Sequence, residues 1–157
     1  MNEMSLHRHR GFSLIELVIV VVIIGIIAAI AIPRMSRGAA GASDASLQSN
    51  LQSIRSSIDL FYTEHTNTYP AVGTFSDQLT LFSDDAGTTS ATKDTAYIFG
   101  PYIRVIPAQT VGAKKGKSGV AAADGVTVGW LYTAATGVIR ANTTTETDAR
   151  GVLYSAY

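Results

Sequence analysis

Residues 12–32 read FSLIELVIVVVIIGIIAAIAI, and this stretch decides how the rest of the chain is organised. Leu17 to Ile32 is sixteen residues without a polar side chain, and Phe12 to Ile15 continues the run on the other side of Glu16. A helix crossing the hydrocarbon of a bilayer needs about 20 residues, range about 17 to 25, so 12–32 suffices if Glu16 sits near one interface. An acidic side chain at the centre of a membrane helix costs about 2.5–3.5 kcal/mol on insertion scales, so Glu16 must find a partner or stay close to water. The plain reading is an interfacial carboxylate. A cleaved secretory signal is a second reading, with Arg8 and Arg10 as its basic start and Ala29-Ile30-Ala31 as a cleavage site. A simple bitopic anchor is a third. Charge does not orient the segment, because Arg8 and Arg10 on one side are matched by Arg34 and Arg37 on the other. Only the α-amino group with His7 and His9 tips the balance inward.

Outside this run the composition is that of a modest soluble domain. The 157 residues are 46% hydrophobic and 15% charged, with 12 basic and 12 acidic side chains. A net charge of zero supplies no field to hold a polyanion, so nucleic acid is not an expected partner. The absence of cysteine excludes disulfides, thiol catalysis and thiolate metal sites.

The segment Arg10-Gly11-Phe12-Ser13-Leu14-Ile15-Glu16-Leu17-Val18 resembles the processing motif of the type IV filament superfamily. The resemblance implies that a prepilin peptidase cuts on the cytoplasmic side after Gly11 and methylates the new N-terminal Phe12. It also implies that Glu16 serves in assembly, and that Met1–Gly11 is a short polar leader. Pro33, at the end of the apolar run, is typical of the family as well.

The physics of that motif can be stated on its own. Gly11 has no Cβ and gives a peptidase room at the backbone. A new amine at Phe12 and the Glu16 carboxylate would lie at i and i+4, one turn apart on one helix face. In a packed bundle the amine of one subunit can meet the carboxylate of its neighbour, which sets axial register. Gly25 and Ala29 form a small-xxx-small pair that allows close helix approach. Pro33 removes one backbone donor, so a kink or locally melted turn is expected between Gly25 and Pro33.

Past Pro33 the sequence turns to small residues, with Gly38 and Gly41 as the weak link of any continuous helix, each costing about 1 kcal/mol relative to Ala. Leu47, Leu51, Ile54, Ile58 and Phe61 then follow 4-3-4-3 spacing, which is one helical stripe. It reads as a core face seated on a small sheet. Thr66-Asn67-Thr68-Tyr69-Pro70 ends the helix. It also resembles the segment that follows the long helix in pilins and pseudopilins. Thr74 to Phe82 is short and amphipathic, and 84–94 is a loop. Strands are predicted at Ala96–Phe99 with Tyr102–Val105, at Thr127–Thr133 and at Gly137–Ala141. The last two form a hairpin whose Gly-Trp-x-Tyr pattern resembles that of type II secretion major pseudopilins.

Enzymatic chemistry is not expected. Gly112 to Ser118 misses a phosphate loop by one residue between its glycines and reads as a basic loop. His7 and His9 would leave with the leader, so His65 stands alone. Asp84, Asp85, Asp94 and Asp124 carry oxygens suited to calcium, but without the spacing of a calcium loop. Major pseudopilins commonly bind calcium near the C-terminus, and this chain lacks their usual Asp-rich tail. No cofactor is therefore expected, with calcium as the alternative.

The sequence thus predicts an α+β, type IV pilin-like fold, a long hydrophobic and then amphipathic N-terminal helix packed on a small antiparallel sheet head. Its parts are a leader (1–11), a membrane and assembly helix (12–33), an amphipathic helix half (34–65) and a head (66–157). Its expected role is that of a subunit of the type II secretion pseudopilus, with a type IV pilus pilin for adhesion, motility or DNA uptake as the alternative. A secreted domain behind a signal peptide is a further one. The partners implied are copies of itself, the prepilin peptidase, the inner-membrane assembly platform and the membrane. The resemblance places the N-terminus in the cytoplasm and the head in the periplasm, and after assembly the subunit lies in a periplasmic or cell-surface filament.

Overall fold

The computed structural model describes residues 12–157, without the side chains of Pro33, Ser36 and Arg37. Helix α1 runs Leu14–Glu64. Two compact units divide the chain, Met1–Ala39 and Ala40–Tyr157. In the first, the apolar side chains from Leu14 to Ile32 are mostly exposed, as a helix hydrophobic on every side must be when nothing in its own chain covers it. The expected melted turn is absent: helical backbone continues through Gly25, Pro33, Gly38 and Gly41. One missing donor at Pro33 and the weak propensity of the glycines are not enough to break a helix continued on both sides by strong formers.

In the second unit the predicted stripe is the core. Leu47, Leu51, Ile54, Ile58 and Phe61 are all at most 1% exposed. The helix ends through Thr66 and Asn67 in the left-handed region, φ 51° and 58°. The Asn67 amide donates to Tyr62 O at 3.0 Å, closing the last turn. Tyr69 then stacks on Tyr62, ring centroids 4.3 Å apart.

A 3-10 turn at Val72–Thr74 leads into α2, Phe75–Thr80, which buries Phe75 and Leu79. Strands β1, Phe82–Ser83, and β2, Thr89–Ser90, pair antiparallel around a turn in which Asp84 Oδ1 accepts the amides of Ala86 and Thr88. The main sheet holds β3, Gly119–Ala121, β4, Val128–Thr133, and β5, Val138–Ala141, in the order β3-β4-β5. The β4–β5 hairpin is the one read from the sequence, with Trp130 opposite Ala141 and Thr133 opposite Val138. Its alternation buries Trp130, Tyr132, Ile139 and Ala141 in the same core as the α1 stripe. The two buried aromatics with polar tips are satisfied: Trp130 Nε1 donates to Pro107 O at 2.8 Å and Tyr132 OH to Pro70 O at 3.0 Å.

Two strand expectations are corrected. Ala96–Phe99 and Tyr102–Val105 are not strands: Phe99 makes only an isolated antiparallel bridge, and Tyr102 and Ile103 have their amides taken by α2. Phe99 exchanges two 3.1 Å hydrogen bonds with Ser83, and the amides of Tyr102 and Ile103 both donate to Leu79 O. The antiparallel expectation holds for β1–β2 and β4–β5, but β3 joins β4 in parallel, with an irregularity between Gly119 and Val120. Gly119 allows that approach: a Cβ there would lie 2.6 Å from Thr127 O.

Candidate processing and assembly site

The residues singled out at the N-terminus fall in three places. Gly11 and the rest of the leader lie outside the described residues. Phe12 stands before the first helical residue, 80% exposed. Glu16 sits in the first turn of α1, and its Oε2 accepts the Ser13 amide at 2.9 Å. With Leu14 as the first helical residue, Ser13 is the cap and Glu16 the third position, the order of a capping box. The carboxylate satisfies a donor that a helix start leaves without an intrahelical partner, and it complements the positive end of the helix dipole. The pattern Ser-x-x-Glu was legible in the sequence and went unread there, overshadowed by the charge pairing that Glu16 suggests.

Downstream, Leu14–Ile32 is long and apolar enough to cross a membrane, by length and composition. A Cβ added at Gly25 would meet nothing within 4 Å, so this face of the helix is open to a neighbour. Pro33 lies within the same helix, just past the span.

The head holds no comparable chemistry. His65 is 2% exposed and stacked on Phe61 at 3.8 Å; its Nδ1 lies 2.9 Å from Phe61 O and its Nε2 3.0 Å from Ser83 Oγ. That is a satisfied core histidine. Gly112 to Ser118 forms turns, not a strand-to-helix cradle, and is followed by β3. Lys114 there pairs with Asp124 at 2.7 Å and donates to Gly125 O. Among the described residues no three His, Asp or Glu side chains converge as a metal site would require. Asp84 and Asp94 accept amides of their own loops.

The C-terminal segment is organised by three groups that sequence reading missed, Asp148, Arg55 and Tyr154. Asp148 is buried; its Oδ1 accepts the amides of Arg150 and Val152, and its Oδ2 accepts Arg150 Nε at 2.8 Å and Tyr157 OH at 2.6 Å. The Tyr157 hydroxyl foremost, then those amides and Arg150, hold its carboxyl well below the usual carboxylate range against the opposing effect of burial. Arg55 reaches from α1 to Ile139 O at 3.1 Å and to the Tyr157 carbonyl oxygen. Tyr154 OH donates to Asp44 Oδ1 at 2.7 Å, and burial, followed by this neighbour, pushes the phenol up to about 12. The Arg55 and Tyr154 bonds tie the last turn to α1.

Comparison with known proteins gives one result for the N-terminus and none for the head. No curated protein and no solved structure matches the chain. Residues 6–32 match the family model described as the prokaryotic N-terminal methylation motif. This match and the apolar helix fit a single-pass inner-membrane protein, and the motif implies processing by prepilin peptidase and assembly into a filament. It supports a type IV prepilin-like chain, of a kind that supplies structural subunits and not enzymes.

Proposed function

We propose that this chain is the precursor of a filament subunit, cut between Gly11 and Phe12, methylated on the Phe12 amine and assembled through α1. The observation that carries the reading is the methylation motif at 6–32, which includes an apolar helical span left exposed among the described residues. Such a helix is stable in lipid, and it can leave lipid only if its apolar surface is reburied. A bundle of identical helices supplies that burial. The Glu16 carboxylate, which caps its own helix while the leader is attached, then has a second partner in the methylated amine of a neighbouring copy. The assembly platform of the inner membrane would deliver subunits, with the head in the periplasm.

Among filaments of this kind, the pseudopilus of type II secretion is the reading favoured. The Gly129-Trp130-x-Tyr132 pattern forms a β4–β5 hairpin, the head is small, and the cysteines that many adhesive pilins use are absent. Deleting the chain from its host separates the two classes. Loss of protein secretion with surface motility intact is the expected result, whereas loss of motility or DNA uptake with secretion intact would assign the chain to a type IV pilus.

A further inference from the structure

The edge of the main sheet away from the hairpin carries no further strand, and the turn at Val72–Thr74 lies near it. Strand β3 has β4 on one side and no strand on the other, and strand edges of that sort accept extended chains by continuing the ladder. Beside it lies a groove of about 390 Å³. Val72, Val105 and Val120 supply its accessible apolar surface above the buried Phe75 and Ile106, and Ser76, Thr80 and Ser118 supply hydroxyls. Arg104–Ile106 also lines it, a segment with two β-branched residues that has no strand neighbour. Among the described residues, none of its three amides or carbonyls makes a backbone hydrogen bond. Two runs of backbone thus border one groove without pairing across it.

The charge on this groove has one sign. Arg104 lines it, is exposed, and has no ion pair among the described residues. Lys117, also exposed, directly precedes Ser118 of the lining. Asp77, the acid of α2, is not a lining residue. A guanidinium on the rim of an apolar slot selects a carboxylate in a chain whose neighbouring side chain is apolar.

We infer that the head binds an extended, acidic peptide segment of a partner protein along the strand-free edge of β3, with a partner carboxylate on Arg104 and an apolar side chain against Val72 and Val120. The incoming strand would lie about 4.8 Å from β3, the ordinary ladder spacing. This goes beyond the filament reading and does not rest on it, since the whole groove belongs to the head.

The experiment uses the full chain in detergent micelles and a short fluorescent peptide of alternating valine and glutamate, followed by anisotropy. Saturable binding is expected, weakened about tenfold or more by Arg104→Glu and less than about twofold by Lys115→Glu, an exposed lysine outside the groove. A valine–lysine peptide should bind Arg104→Glu better than the unaltered chain. N-methylation of alternate peptide amides should block binding in one register and spare it in the other, as ladder pairing requires. Absence of saturable binding, equal affinity of Arg104→Glu and the unaltered chain, or indifference to both N-methylated registers would each overturn the inference.

Discussion

The two halves of α1 are one helix with opposite fates. From Leu14 to Ile32 its large apolar side chains are 46–80% exposed, whereas Leu47, Leu51, Ile54, Ile58 and Phe61 are 0–1% exposed. The difference is written in the pattern. The first half is apolar on every side, so no single face of a small head could cover it. The second half is apolar on one stripe, with Gln48, Ser53, Asp59 and Glu64 off it, and its own chain covers that stripe with Trp130, Tyr132 and Ile139. One half finds its burial inside the molecule. The other must find it in lipid or in copies of itself.

The sharpest way to break this comparison is to remove the first half. A chain beginning at Ala40, the start of the second compact unit, should be soluble, monomeric and unable to enter filaments. Sedimentation checks it, and a stable dimer or aggregation under mild conditions would show that the head shares in the burial assigned to the helix.

Next in size is Glu16→Ala. Processing and membrane insertion should persist, because the peptidase reads the junction a turn away and loss of a carboxylate lowers the insertion cost. The helix loses about 1 kcal/mol of capping. A bundle that draws in the Phe12 amine without its opposite charge loses about 3–5 kcal/mol, enough to lower subunit addition by orders of magnitude. A shear assay for filaments beside an immunoblot for processed chain reads both. Normal filaments would leave Glu16 as a helix cap and nothing more.

A matched pair of substitutions sharpens the contrast within one helix. Ile54→Ala opens a cavity in the head and should cost about 2–5 kcal/mol, whereas Ile23→Ala should leave the head's Tm unchanged. Thermal unfolding followed by tryptophan fluorescence reports on the head alone, since Trp130 is the single tryptophan. Equal shifts would mean that the two halves are not energetically separate.

The smallest effect concerns acid. A carboxyl held low in the folded state, as that of Asp148 is, contributes stability above its unfolded value and loses it as pH falls. The head's Tm should therefore begin to drop below about pH 5 and keep dropping below the unfolded carboxylate value of about 3.9, and drop less in Asp148→Asn. Parallel pH profiles for the two chains would remove Asp148 from the account of how the last turn is held.

What could be read from the sequence was local or periodic. The membrane-length run, the 4-3-4-3 stripe and the β4–β5 hairpin each sit within one stretch of chain. So does the Ser13–Glu16 cap, a four-residue pattern. The parallel strand β3 could not be read, because so short a connection to β4 normally gives no parallel pair, and this one depends on the close backbone approach that glycines at 119 and 129 allow. Tyr102–Val105 has a strand's composition, yet Leu79 O takes the Tyr102 and Ile103 amides first. Arg55 meets Tyr157 across 102 positions, a contact no local pattern announces. As for the proposed site, Gly11 and Phe12 are legible because a processing motif is a short string of adjacent residues, and strings survive in sequence where surfaces do not.

The central claim is that Gly11–Phe12 is a processing junction, and intact mass of the chain purified from the membrane fraction tests it most directly. The account predicts a chain that begins at Phe12 and carries one added methyl group on its amine. A chain beginning at Met1, or one beginning at Ile32 as a signal peptide would leave it, would contradict the account.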